Sequence, residues 1–292
     1  MNNKTGKVIG FTYKQVITSK WFCMITILGI ICEFLVTQAD KLFKVTAGGE
    51  VQNAAAAASV ADPSETQFYL SFGIVITLFL LILIYGANIA NSIVEEKSAR
   101  IVETLLCYVK PVELLAGKIF GFVAGIITQM ALWALYFLVL KNTIGYPEFF
   151  SASGISLSPQ LILMICGSMI FGFVMYAAAF VALASFADNA QDSTQLMLPV
   201  GSIIMAAYFL SLSAMNGSAG PVVSALSYAP FFSSIMMFTR LDLLNVSWGT
   251  TALNLIVQAI EMIFVIIICS QIYRYGVVRY GMRKISFRKA KA

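Results

Sequence analysis

The sequence predicts an all-α polytopic membrane protein with six transmembrane helices, an N-terminal interfacial helix and a cytoplasmic coupling helix. Two observations carry that expectation. Charged residues make up 11% of the 292 residues and apolar ones 59%, against roughly 25% charged in a soluble domain. The charges are also unevenly spaced. None lies between Glu65 and Glu95, Lys118 and Lys141, Glu148 and Asp188, or Asp192 and Arg240, and each gap exceeds the roughly 20 residues a spanning helix needs. Two further apolar stretches hold one carboxylate each, Glu33 within 21–37 and Glu261 within 243–273.

Taken in order, residues 1–20 come first. Ile9, Tyr13, Val16 and Ile17 recur at helical spacing while Lys7, Lys14 and Thr18 fall elsewhere, which predicts an amphipathic helix in the inner interface. Trp21 and Phe22 then stand at the headgroup boundary, where aromatics are enriched. A charged start of about 20 residues and the interruption by Glu33 argue against a cleaved signal peptide. The transmembrane domain covers 21–274, with spans near 21–37, 68–93, 119–140, 160–186, 195–214 and 251–273, and a basic tail follows at 275–292. The loop 38–66 contains the run Ala54 to Ala58 and too few apolar side chains to form a core.

Between the second and third spans, Val94, Ile101 and Leu105 form one face and Glu96, Arg100 and Glu103 another. This is an amphipathic helix over 94–107, with Glu96 and Arg100 in the favourable i, i+4 order. Pro111 suits the first turn of the next helix, which leads through Glu113 and Lys118 into span three.

Six spans put both termini on one side, and basic residues say which. Lys4, Lys7, Lys14 and Lys20 precede span one. Lys97, Arg100, Lys110 and Lys118 lie between spans two and three, and Arg274, Arg279, Arg283, Lys284, Arg288, Lys289 and Lys291 follow span six. These 15 of the 19 basic residues place the termini in the cytoplasm of a multi-pass cell-membrane protein. The net charge of +5 is thereby a topology signal that needs no nucleic-acid partner.

Several chemistries lack their central residue. With no histidine, zinc sites of His type, His-ligated haem and Ser-His-Asp triads are excluded. Neither Gly6-Lys7 nor Gly117-Lys118 is followed by Ser or Thr, so no phosphate-binding loop is present. The chain offers no catalytic or metal-ligating set, binds no cofactor of its own, and does not hydrolyse ATP alone.

Polar residues form two stripes: Tyr85, Asn88, Ser92 and Glu95 on the second span, and Thr250, Asn254, Gln258 and Glu261 on the sixth. Such stripes face the protein interior, because turning them to lipid is costly. Asn88, Asn254, Gln258, Glu261 and Glu33 are the candidates for a transport path, with helix packing as the alternative for both carboxylates. Gly117, Gly121 and Gly125 make a tandem small-residue motif for close helix packing, within one subunit or between two. A secondary transporter or channel acting alone remains the alternative to an ATP-driven machine.

The stretch from Ser92 to Leu106 (SIVEEKSARIVETLL), followed by Val109-Lys110-Pro111 and by Leu114-Leu115-Ala116-Gly117-Lys118-Ile119-Phe120-Gly121, closely resembles the signature of type-2 ABC export permeases. The nearest branch is the sodium-export-permease-like one. A second similarity is Tyr228-Ala229-Pro230-Phe231-Phe232 with Met236-Met237, which looks like that family's proline-then-Met-rich outer segment before the last span.

The resemblance implies the membrane subunit of an ATP-driven exporter. It implies a second permease, identical or homologous, and a separate ABC ATP-binding subunit that holds the ATP and magnesium. It implies that Glu95, Glu96, Lys97, Arg100 and Glu103 belong to the coupling helix that meets that ATPase. Members of the sodium-exporting branch carry a sizeable extracellular domain between the first two spans, where this chain has a short Ala-rich loop. The cargo stays open among sodium, a peptide, an antibiotic and a lipid.

Overall fold

A computed structural model describes residues 3–27, 29–30, 63–98, 111–144, 158–187, 189–215, 220–240 and 247–289. The fold is all-helical over these residues. Its helices are α1 (Asn3–Ile17), α2 (Pro63–Ser98), α3 (Pro111–Ile144), α4 (Pro159–Ala184), α5 (Ala190–Met215), α6 (Pro221–Leu226), α7 (Ser233–Arg240) and α8 (Trp248–Lys289). A helical segment at 20–27 follows α1 after a break at Thr18 and Ser19. Five helices, α2 to α5 and α8, are long and apolar enough to cross a membrane. The first expected span, 21–37, is described only as far as residue 30, and Glu33 lies outside the described residues.

Proline places several helix starts. Pro63, Pro111, Pro159 and Pro221 each open a helix, where the missing N–H costs nothing. At α4 the cap is complete, because the Ser158 hydroxyl accepts from the Leu161 N–H at 3.3 Å. Pro199 lies inside α5, a placement that membrane helices tolerate when neighbours satisfy the freed groups.

α4 is the central helix. Of its most apolar window 61% is buried, against 28% for α5 and for α8. Its run Tyr176 to Ala179 is enclosed, and the three alanines let neighbours approach closely. Tyr85 of α2 sets its ring edge-on to Phe173 of α4 and to Phe122 of α3, with centroids 6.4 and 6.5 Å away. Leu253, Ile256, Ile260, Ile263 and Ile267 of α8 are all more than half exposed. They recur at intervals of three and four residues, as one lipid-type face would.

The glycine motif of α3 finds its partner within the chain. A Cβ on Gly117, Gly121 or Gly125 would lie 2.7, 2.6 or 2.5 Å from Val8, Thr12 or Val16. Three successive contacts with rising numbers on both sides mean that α1 runs lengthwise along α3. The small-residue groove of α3 thus takes the face of α1 made by Thr5, Val8, Thr12 and Val16. Of the apolar residues Ile9, Tyr13, Val16 and Ile17 assigned to the bilayer interface only Val16 is buried, while Lys7, Phe11 and Lys14 stay exposed.

The uncharged gap from Asp192 to Arg240 holds more than its one expected span. After α5 the chain returns as α6, a turn and α7, and Ile235, Met236, Met237 and Phe238 are almost fully buried. A Cβ on Gly172 would touch Ser234 at 2.9 Å, and Gly172 is thirteen residues into α4, about 20 Å from its start. The segment 220–240 therefore folds back as a re-entrant hairpin whose second arm, α7, packs among the long helices. Its turn holds Phe231 at φ 73°, a left-handed conformation costing a bulky residue about 1–2 kcal/mol. The hydroxyl of Tyr176 donates to the Phe231 carbonyl, and Ser71 donates to the Phe238 carbonyl at 3.0 Å. Both bonds fasten the hairpin to α4 and α2.

Candidate functional site

Three polar constellations stand out. The first is a rim where the ends of α2, α3, α4 and α8 meet. α2 continues without a break through 94–98, so the first residues of the expected coupling helix are the last turn of a spanning helix. Arg100 and Glu103 lie outside the described residues. Glu96 makes an ion pair with Lys118 of α3 at 2.7 Å, and Lys118 also donates to Ser92 Oγ at 3.2 Å. Lys118 is 2% exposed, which a lysine tolerates only when its charge is matched and its donors are used.

Lys97 is also buried and turns the other way. Its Nζ donates to the carbonyls of Ser185 at 2.9 Å and Ala187 at 2.7 Å. Ser185 is the C-cap of α4, so a cation sits where the helix leaves carbonyls unpaired and its dipole is negative. Gly276 of α8 comes so close to Ser185 that any Cβ would collide. Of the expected coupling residues, Glu96 and Lys97 bind neighbouring helices, whereas Glu95 is exposed.

The second constellation joins α8 to the re-entrant hairpin. Asn254, Gln258 and Glu261 are 6%, 4% and 8% exposed, so this polar stripe faces inward. Ser233 of α7 donates to the Glu261 carboxylate. Gln258 Nε2 reaches Met237 Sδ at 3.0 Å, and Asn254 bonds the Thr250 carbonyl at 2.8 Å. The hairpin partners of this stripe were not legible in the sequence, because nothing in the spacing of Ser233 or Met237 announces a segment that folds back.

The third is a cavity of about 260 Å³ at the elbow between α1 and the 20–27 helix. Its floor is Val16, Phe22, Tyr85 and Phe122, all buried. Its polar wall includes Gln15, Asn88, Asn91 and Glu95, with Trp21 half exposed at its edge. The two polar stripes therefore do not line one common channel over the described residues. Asn88 and Glu95 face the elbow, and Gln258 and Glu261 face α7. Sequence reasoning found the α2 stripe but not the cavity, since the break at Thr18 and Ser19 that opens it carries neither Gly nor Pro.

A family model described as ABC-2 family transporter protein matches residues 21–270, which takes in α2 to α7 and α8 as far as residue 270. The chain belongs to the ABC-2 transporter family. It is therefore a multi-pass membrane protein of the ABC transporter permease class. It is similar to the uncharacterized protein YhaP of Bacillus subtilis, 25% identical over 227 residues, which are 75% of this chain and 54% of that protein. It is similar as well to the uncharacterized protein MJ1024 of Methanocaldococcus jannaschii, 26% identical over 212 residues, 72% of this chain and 50% of that protein. The chain spans about half the length of these curated relatives.

Proposed function

We propose that this ABC-2 permease is the membrane subunit of an ATP-driven exporter that works with a separate ATP-binding subunit and a second permease. The rim faces the cytoplasm and both termini lie there, with six spans once 21–37 is counted. The supporting observation is the tie between Lys97 and the carbonyls of Ser185 and Ala187. With the Glu96 to Lys118 pair, it links the ends of α2, α3 and α4 beside the segment that continues to Arg100 and Glu103. Force applied to 99–107 by a nucleotide-driven partner would move three spanning helices together.

Under this reading Glu95, Arg100 and Glu103 present charge to the ATPase, where rim charges set register and specificity more than affinity. Asn254, Gln258 and Glu261 belong to the part of the path closed by the re-entrant hairpin. Co-expression with an ATP-binding-cassette subunit encoded beside this chain tests the proposal. Stable co-purification and ATP-dependent transport in vesicles support it; transport by the permease alone, with no ATPase present, replaces it with a secondary transporter or channel.

A further inference from the structure

We propose that the elbow cavity is a binding site for an ammonium group carried on an apolar body. Its chemistry is one-sided. Among the described residues, Glu95 is the only charged one in the lining. The buried cation bonded to Ser92, Lys118, is also paired with Glu96. Asn88 spends one amide N–H on the Ile84 carbonyl at 2.9 Å, which leaves its carbonyl oxygen and its second N–H for a ligand. Ser92 donates to the Ile89 carbonyl at 2.8 Å while accepting from Lys118. The wall thus combines neutral amide and hydroxyl groups with one carboxylate, and that charge favours a cation over an anion.

The remaining surface is aromatic. Trp21, Phe22, Tyr85 and Phe122 contribute to the lining, and ring faces attract an alkylammonium while accepting its carbon substituents. The floor of Val16, Phe22 and Phe122 takes an apolar body, and the exposed Glu95 and Trp21 leave the mouth open. A volume of about 260 Å³ lies just under the roughly 300–1,000 Å³ of small-molecule sites. It admits a head group and the first part of a chain rather than a whole lipid. Ammonium of this kind has two sources, an amphipathic amine or the ethanolamine head of a phospholipid. As a loading point for export the site rests on the exporter reading; binding itself does not.

The test uses the full chain in nanodiscs with no ATPase present, so its outcome is independent of transport. Dodecyltrimethylammonium with a photoreactive chain end is cross-linked and the labelled peptides are mapped. Labelling within 15–22 and 85–95, displaced by unlabelled dodecyltrimethylammonium but not by dodecyl sulfate, is expected. Glu95→Gln should weaken it about fivefold, as loss of the Coulomb attraction to the cation does, and Trp21→Ala should weaken it with the carboxylate intact. A photoreactive phosphatidylethanolamine, compared with phosphatidylglycerol, identifies the lipid as the source if it labels the same peptides. Its failure beside a positive amine result identifies a free amine. Equal displacement by dodecyl sulfate overturns the site, and so does unchanged labelling in a Glu95→Gln protein that elutes as wild type.

Discussion

Lys97 Nζ lies 2.9 Å from the carbonyl oxygen of Ser185, 88 positions away in the sequence, and thereby caps the C-terminus of α4 from the last turn of α2. A residue that the family resemblance places in the coupling helix is buried and serves as an internal clamp between α2 and α4.

Lys97→Met should therefore destabilise the fold rather than only the contact with a partner. Hydrogen bonds to a charged group contribute about 1.5–3 kcal/mol, and two are lost. Thermal unfolding in detergent should show a lower midpoint, partly restored by Lys97→Arg. An unchanged midpoint in Lys97→Met would return the side chain to the surface.

Glu96 and Lys118 should behave as a coupled pair. Lys118→Met alone leaves a half-buried carboxylate without its cation, at a cost of about 3–5 kcal/mol where such a pair is fully enclosed. Glu96 is 14% exposed, so the loss should fall toward the lower figure. The double variant Lys118→Met with Glu96→Gln should recover most of it. Additive losses in chemical unfolding would mean that the two side chains do not share an interaction.

The hairpin should depend on what Glu261 accepts. Glu261→Gln keeps an oxygen for the Ser233 hydroxyl and should stay within about 1 kcal/mol of the parent, whereas Glu261→Leu leaves that buried donor unsatisfied and should cost about 1–3 kcal/mol. Limited proteolysis within 233–240 reads the difference, since a hairpin released from α8 exposes the buried Ile235 to Phe238. Equal resistance in both variants would detach Glu261 from the hairpin's anchoring.

Topology is directly readable. In a chain freed of its five native cysteines, single cysteines at Ser64 and Ser151 should react with an impermeant maleimide from outside. Those at Ser98 and Ser286 should react only after permeabilisation. External labelling at Ser98 would invert the molecule and put the rim on the wrong side for an ATPase.

What the sequence revealed followed the physics that acts locally. Charge-free gaps located α2, α3, α4 and α5, the apolar stretch around Glu261 located α8, and Pro111 opened α3 as its restricted φ implies. The inward turn of Asn254, Gln258 and Glu261 was legible because lipid cannot satisfy them. Long-range pairing was not legible. Nothing in the spacing of Glu96 tells Lys118, on the next helix, from Arg100, one turn ahead, as its partner. The glycines of α3 announce a close neighbour but do not say that it is α1. The hairpin was masked for the opposite reason: at 47 residues without a charge, the Asp192 to Arg240 gap is too long for one span, and that excess length was its only local trace.

Arg100 and Glu103 give the cleanest probe of coupling, because reversing Glu96 would also break the pair with Lys118. The decisive measurement is ATP hydrolysis by the co-reconstituted ATP-binding subunit with the variant carrying Arg100→Glu and Glu103→Lys. The account predicts a permease that inserts and unfolds as the parent does, while hydrolysis falls to the rate of the ATPase alone and transport stops. Parental hydrolysis and transport in that variant would contradict the assignment of 94–107 as the segment that meets the ATPase.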